Sequence, residues 1–185
     1  MANCPSYCAG NDFPEYPSGI GCNTKFTGGV PQAVLIGCNN EVDPDSPTLG
    51  ADINALIDAG NAALLANLKI NVDAPSAVTG PSLVGCVPDT LISNDHTITF
   101  VDRNVTEETV DYYNEILSNF GGEIGGMIIY ECGANRITYY NMALSMSGGR
   151  VIPDQDNDLQ RFEWTFTGRS LTLPVIRDTP TGVFN

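Results

Sequence analysis

The sequence has few basic residues. Of its 185 residues only 8 are Lys or Arg, against 22 Asp or Glu, and the formal net charge is −14. A chain this acidic repels phosphates and anionic lipid head groups at moderate salt. Tight binding of nucleic acid is therefore not expected.

Long apolar runs are also missing. No stretch approaches the roughly 18 apolar residues that a membrane-spanning helix requires. The first residues, Met1 to Pro5, lack the basic and apolar regions of a secretory signal. We therefore expect no membrane-spanning segment and a chain made in a reducing compartment.

The sequence offers little catalytic chemistry. Its only histidine, His96, stands at the start of a predicted strand, and no Ser or Cys lies in a nucleophile motif. We interpret His96 as a surface or strand-edge residue. A hydrolase that uses two carboxylates brought together by the fold remains an alternative. No such pair stands out among the acidic residues, however, and we interpret the chain as non-enzymatic.

Two further patterns resemble ligand sites without meeting their requirements. Asp154, Asp156 and Asp158 have the spacing of an EF-hand loop, but Leu159 replaces its glycine and Thr165 its last glutamate, which indicates a solvated turn. The glycine-rich stretch 121–126 follows a helix and has no P-loop lysine after it. We therefore predict no catalytic, cofactor-binding or metal site.

The cysteines form no clear metal site. Only the first two of the six are close together, and the histidine is distant, which disfavours structural zinc; the six are Cys4, Cys8, Cys22, Cys38, Cys86 and Cys132. In a reducing compartment we expect reduced cysteines that pack as small apolar side chains. Disulfide formation after release from a cell remains an alternative.

The chain divides into an arm and one domain. Residues 1–31 are rich in Gly and Pro but carry aromatic side chains, which predicts an extended N-terminal arm lying on the domain or on a neighbouring copy. Residues 32–185 are predicted to form a single β-rich domain. Residues 38–50 form an acidic, proline-interrupted loop that we expect to project from it.

Two segments have helical periodicity. The run 51–68 places apolar residues three and four apart, with Gly60 kinking it or dividing it into two short helices. The run 104–120 begins with Asn104 as a predicted cap and ends before a glycine pair. Its predicted buried stripe consists of Val110, Tyr113, Leu117 and Phe120.

The other elements are predicted strands, at 30–37, 96–102, 126–132, 135–146, 159–167 and 170–176. Turns are expected at Gly133, Gly148–Gly149 and Gly168. Phe162, Trp164 and Phe166 alternate with polar residues, so one face of their strand is buried and the other is solvated. The predicted fold is mainly β, a β-sandwich or barrel-like domain on which the 104–120 helix packs.

A family resemblance covers residues 95–185. The strand HTITFVDRN, the helix VTEETVDYYNEILSNF, the strands GMIIYEC and NRITYYNMALSM, the turn Ile152–Pro153–Asp154 and the strand LQRFEWTFTG leading to Leu173–Pro174 follow in order. This arrangement resembles the tail-tube proteins of bacteriophages. The resemblance implies a small β-sandwich with one packed helix and no cofactor.

The resemblance also implies an assembly. Six copies close into a homohexameric ring around a lumen, and rings stack through an N-terminal arm and a long loop, roles that residues 1–31 and 38–50 would fill. The chain would be a virion protein made in the host cytoplasm. Its partners would be its own copies and other tail or connector proteins, and DNA would pass without specific binding.

Two alternatives to the tail tube remain. A head-to-tail connector or tail-completion protein can share the same fold. A soluble carbohydrate-binding or adhesin-like β module is an alternative of another class, and it would be a monomer with an exposed aromatic platform.

Overall fold

A computed structural model describes residues 32–66, 68–80, 90–131, 135–153 and 160–183. The predicted arm, every cysteine except Cys38, the turn at Gly133 and the Asp154–Asp158 turn lie outside these residues. The elements of the described parts are β1 (Gln32–Ile36), α1 (Leu49–Asp58), β2 (Ala62–Leu65), β3 (Leu68–Val72), β4 (Ser76–Gly80), β5 (Thr90–Asp102), α2 (Glu107–Phe120), β6 (Glu123–Ile124), β7 (Gly126–Glu131), β8 (Arg136–Tyr140), β9 (Leu144–Val151), β10 (Arg161–Ser170) and β11 (Val175–Asp178).

The strands form two antiparallel sheets, which confirms the mainly β prediction. One sheet has five strands in the order β11-β8-β7-β1-β2. The other has the order β3-β5-β10-β9-β6, and β4 pairs with the first half of the long β5. All pairings in both sheets are antiparallel.

The sheets are connected by two bends of the chain, one between β6 and β7 and one between β8 and β9. Only Gly125 separates β6 in one sheet from β7 in the other, and residues 141–143 separate β8 from β9. A Cβ atom at Gly125 would lie 2.6 Å from the carbonyl oxygen of Gly37, so a larger residue does not fit this bend. Strands that change sheets in this way form the corners of a β-sandwich.

The main core lies between the sheets and α2. On β10 the buried residues are Phe162, Trp164 and Phe166, as their alternation predicted. On β5 the residues Ile98 and Phe100 face the same side, with Phe100 and Phe166 ring centroids 4.8 Å apart. The predicted two-faced character of β10 is therefore confirmed, and β5 shows the same alternation.

A second core covers the opposite face of the five-stranded sheet. Val34 and Ile36 of β1 pack there with Ile53 of α1, and all three side chains are buried. Because β1 is covered on both faces, all five of its residues are buried. This explains why its sequence is a continuous apolar run rather than an alternating one.

Helix α2 packs on the aromatic face of β10, as predicted. The Tyr113 ring centroid lies 4.9 Å from the ring centroids of both Phe162 and Trp164. The helix ends at Gly121, whose positive φ of 59° is the left-handed conformation that glycine adopts most readily.

Two details of the α2 prediction are wrong. Its cap is Thr106, whose hydroxyl accepts a 3.2 Å hydrogen bond from the Thr109 amide, rather than Asn104. Leu117 is 38% exposed, whereas Ile116 is completely buried. The stripe facing the core is therefore rotated by about one residue from the predicted one, and its buried residues are Thr109, Tyr112, Tyr113, Ile116 and Phe120.

The predicted helical segment 51–68 is helical only in its first half. Helix α1 ends at Asp58, and the left-handed Gly60, with φ of 70°, turns the chain into β2. Residues Ala62–Leu65 then pair with β1. The apolar run AALL gains backbone partners there that an isolated helical turn would lack.

Several predicted strand boundaries and turns are also wrong, including the start of β5, which is Thr90 and not His96. The 135–146 segment is two strands, because residues 141–143 form the bend between β8 and β9. Gly148–Gly149 and Gly168 are not turns but lie inside β9 and β10. The predicted strand 170–176 is regular only from Val175 to Asp178.

Candidate subunit-interaction surface

Three exposed aliphatic side chains lie in the segment after β10 and in the first half of β11. Leu171 is 70% exposed, Leu173 64% and Ile176 57%. We call these three residues the apolar strip. Aliphatic side chains clustered in one short segment are typical of a contact surface, whereas single exposed ones are common everywhere.

Two more exposed aliphatic residues lie at the start of β5. Leu91 is 48% exposed and Ile92 56%. Ser170, the last residue of β10, is paired with Asn94 of β5, so the apolar strip leaves the sheet on the side where Leu91 and Ile92 stand. The chain therefore leaves β10 at the end of the sheet where these two residues lie.

Strand β11 is the edge of its sheet. It pairs with β8 on one side, and no strand of the described residues pairs with its other side. Outer edges of this kind present backbone N–H and C=O groups that another extended chain can pair with. The apolar strip thus lies beside a strand edge that can accept a further strand.

An ion pair fixes β11 to the loop that precedes α1. The Arg177 guanidinium donates to both carboxylate oxygens of Asp45, at 2.5 and 3.1 Å. The hydrogen bond from Arg177 lowers the pKa of Asp45. Arg169 makes the same two-point contact with Asp95, at 2.6 and 3.2 Å, and its hydrogen bond lowers the pKa of Asp95. Both pairs are solvent-exposed two-point contacts close to the strip in the sequence.

The acidic loop 38–50 is anchored to the domain at several points. Val42 is buried, and its amide donates to the Tyr139 hydroxyl at 3.4 Å. Burial raises the pKa of Tyr139. The backbone of Gly50 lies against the carbonyl group of Thr181, leaving no room for a Cβ atom. The loop and the C-terminal segment border an open groove of about 560 Å³.

The interpretation of His96 as a surface or strand-edge residue is wrong. The side chain is only 3% exposed. His96 shares the inward face of β5 with Ile98 and Phe100, because residues two apart on a strand point to the same side. Its ring lies edge-on to Tyr140, with centroids 6.0 Å apart. Burial lowers the pKa of His96, and the neighbouring charge of Asp95 opposes this shift.

The described residues bring no metal-binding set together. Within them, no group of three or more His, Cys, Asp and Glu side chains is placed to hold an ion. Cys38 is 5% exposed and belongs to the main core, and its Sγ lies 4.0 Å from the carbonyl oxygen of Glu123. At Cys38, therefore, the side chain packs as the small apolar residue that the sequence predicted.

Sequence reasoning did not single out the apolar strip, since LTLPVI was interpreted as an ordinary strand. Pro174 was the available signal. Proline has no N–H to donate and is confined to edge strands, strand starts and bulges. A proline just before a strand is compatible with the edge position that β11 occupies.

Comparisons with known proteins assign no family to the chain: it matches no protein-family model, and no curated protein matches it significantly. None of the helices in the described parts is long and apolar enough to cross a membrane. The surface itself is therefore the basis for a functional proposal.

Proposed function

We propose that this protein is a structural subunit of a bacteriophage tail tube, in which copies close into rings and rings stack around a conduit for DNA. The observation that carries the proposal is the edge of β11 with the apolar strip beside it. A β-sandwich with a packed helix, here α2, is the fold that the resemblance to tail-tube proteins implies, and α1 is an addition to that pattern.

Ring closure would give the sheet edges a partner. Within the described residues, β11 ends one sheet, while β3 and β4 pair only with β5 at the edge of the other. A head-to-tail contact joins two different edges, and a ring closes when each copy repeats that contact. Such a contact would also cover the apolar strip, which is costly to leave in water.

The charge of the chain suits a conduit through which DNA passes without binding. With a formal net charge of −14, the protein repels phosphates. The arginine side chains of the described surface include three that are held by carboxylates, in the pairs Arg161–Glu163, Arg169–Asp95 and Arg177–Asp45. These pairs reduce the positive charge available for phosphate contacts.

The exposed apolar residues favour self-association over carbohydrate binding. A carbohydrate-binding platform was expected to present aromatic rings. Among the described residues, the large apolar side chains that are exposed are all aliphatic: Val72, Leu91, Ile92, Leu117, Ile152, Leu171, Leu173 and Ile176. Aliphatic side chains of this kind suit a protein–protein contact.

Electron microscopy of the purified full-length chain tests the proposal. We expect rings with cyclic symmetry, six-fold as the resemblance implies, and stacks of rings at higher concentration. Assembly should strengthen as salt is raised from about 0.01 M to about 0.5 M, because screening weakens the repulsion between acidic copies. A species that stays monomeric at high concentration and at every salt level would contradict the proposal.

The same images separate the tube from a head-to-tail connector. A tube protein stacks into open-ended rods of many identical rings, because each ring presents the surface that the next ring binds. A connector stops at one ring or a pair of rings. In a gel-shift assay at about 0.15 M salt, duplex DNA should stay unbound by either form.

A further inference from the structure

We propose that Leu91 and Ile92 of one copy bind in a pocket at the start of α2 of a copy in the next ring. We call these two residues the β5 tip. The inference rests on the proposed self-assembly. It adds a contact between rings, made by the two ends of β5, to the arm and the loop that the resemblance implies.

The pocket lies just beyond the last residue of β5. It is open, has a volume of about 360 Å³, and lies between the first turn of α2 and the end of β9. Val105 and Val110 form its apolar part, and both pack partly buried against the main core. Thr106, Glu107 and Arg150 supply its polar groups. An apolar centre with polar groups around it is the usual composition of a protein–protein contact.

The aliphatic side chains that fit this pocket lie at the other end of the same strand. Leu91 is 48% exposed and Ile92 56%, close to the first residue of β5. Ile92 is the extra residue of a β-bulge, because Val78 pairs with Ser93 whereas Thr79 pairs with Leu91. A bulge bends its strand and increases the local twist. The β5 tip therefore departs from the regular ladder and presents two adjacent aliphatic side chains to solvent.

The register of the sheet places the two surfaces far apart in one copy. Asp102, the last residue of β5, stands in one row with Phe162 of β10 and Arg150 of β9. At a rise of about 3.4 Å per residue, Leu91 lies about 37 Å from that row. The tip and the pocket can therefore meet only between copies. A contact that joins two different surfaces leaves one of each free after every step, so it builds an open stack.

Charges at the two ends are complementary. At the pocket, Arg150 donates a 2.5 Å hydrogen bond to the neutral amide oxygen of Gln160. Near the β5 tip, the side chain of Asp95 is 42% exposed and that of Arg169 64%. A carboxylate has about four acceptor sites and Arg169 occupies two, so Asp95 can also accept from Arg150 of a neighbouring copy. Glu107 at the pocket is the matching partner for Arg169. Such pairs fix the orientation of stacked copies.

Two full-length variants, each purified as preformed rings, test the contact. Leu91→Asp places a charge on the tip, and Arg150→Glu reverses the charge at the pocket. Each variant alone should form rings but stacks at least ten-fold shorter than those of the native chain in electron micrographs. An equal mixture should form pairs of rings, because the intact pocket of Leu91→Asp accepts the intact tip of Arg150→Glu. Each pair then presents only a substituted tip and a substituted pocket, so growth stops there.

Leu117→Asp is the matched control. Leu117 is a 38% exposed aliphatic residue of α2 that belongs to neither surface, so this variant should stack as the native chain does. Thermal unfolding of all three variants should match that of the native chain, since the substituted side chains are exposed. If Leu91→Asp or Arg150→Glu unfolds at a lower temperature, the smaller changes Leu91→Ser and Arg150→Gln take its place, with the same expectations.

The possible outcomes separate this inference from the proposed function. Stacks of native length from either variant overturn the contact, and so does a mixture that stays as single rings. A repeat along the stack much longer than about 40 Å also overturns it, because the two surfaces are too close together to span that distance. Native rings that never stack refute the contact and leave ring closure standing. A native chain that stays monomeric refutes the assembly itself.

Discussion

The Tyr113 hydroxyl donates a 2.8 Å hydrogen bond to Oδ2 of Asp102, and both side chains are buried. Asp102 is the last residue of β5, and its Oδ1 accepts a second 2.8 Å hydrogen bond from the Asn104 amide. The same tyrosine ring contacts Phe162 and Trp164 of β10. One residue of α2 therefore fixes the helix to two neighbouring strands, through a polar contact and through aromatic packing.

Removing this hydroxyl should destabilise the fold. Tyr113→Phe keeps the ring contacts and leaves the buried Asp102 carboxyl group with one partner fewer. We expect the free energy of unfolding in urea to fall by about 1–3 kcal/mol. Asp111→Asn, on the exposed side of the same helix, should change it by less than about 0.5 kcal/mol. Equal effects would show that the hydrogen bond does not hold the helix.

Two adjacent residues of α2 should differ strongly on truncation. Ile116 is completely buried, whereas Leu117 is 38% exposed. Ile116→Ala should lower the free energy of unfolding by about 2–5 kcal/mol, because it leaves a cavity in the core. Leu117→Ala should cost less than about 1 kcal/mol. A larger loss for Leu117→Ala in the same urea titration would mean that this residue is covered in solution.

The periodic elements could be predicted from the sequence. The alternation of Phe162, Trp164 and Phe166 identified the buried face of β10, and the helical spacing located α2. The rotation of α2 was predicted wrongly, because Ile116 and Leu117 are both apolar and a helix turns about 100° per residue. Only the contact with β10 determines which of the two faces the core.

Features that depend on distant pairing could not be predicted. Residues 62–65 have an apolar pattern compatible with helix or strand, and pairing with β1 decides the outcome. The exposure of the apolar strip could not be predicted either, because a local pattern does not show which side chains the rest of the fold leaves uncovered. His96 was interpreted as a strand-edge residue because the predicted strand began there. In the structure β5 begins at Thr90, so His96 lies inside the strand.

Two neighbouring glycines in β9 should tolerate alanine differently. Gly148 has a φ of 133°, and a Cβ atom there would collide with the carbonyl oxygen of Glu163 on β10. At Gly149 nothing lies within 4 Å of the Cβ position. Gly148→Ala should therefore lower the free energy of unfolding by more than about 1 kcal/mol, while Gly149→Ala should change it little. Similar melting temperatures for both variants would contradict this account of β9.

The buried His96 should make the fold sensitive to acid. Burial lowers its pKa in the folded chain below the ordinary value of 6.5, which the unfolded chain retains. Below pH 6.5 the unfolded state therefore binds more protons at this site than the folded state does. Linkage then requires the free energy of unfolding to fall as the pH decreases from that value towards the folded pKa, and to be unaffected by His96 at higher pH.

Urea titrations between about pH 7.5 and about pH 5.5 measure this dependence. His96 is the only histidine of the chain, so replacing it isolates the effect. Two groups face or adjoin the ring: Tyr140 lies edge-on to it, and Asp95, held by Arg169, precedes it in the strand.

His96→Leu should flatten the pH dependence, because no ionisable group then remains at this position. Asp95→Asn should keep a dependence of the same sign, because it removes a carboxylate charge that favours the protonated ring and leaves the effect of burial in place. If the native chain and His96→Leu lose stability equally over this range, other groups cause the acid sensitivity and the imidazole is not confined to its neutral form by burial.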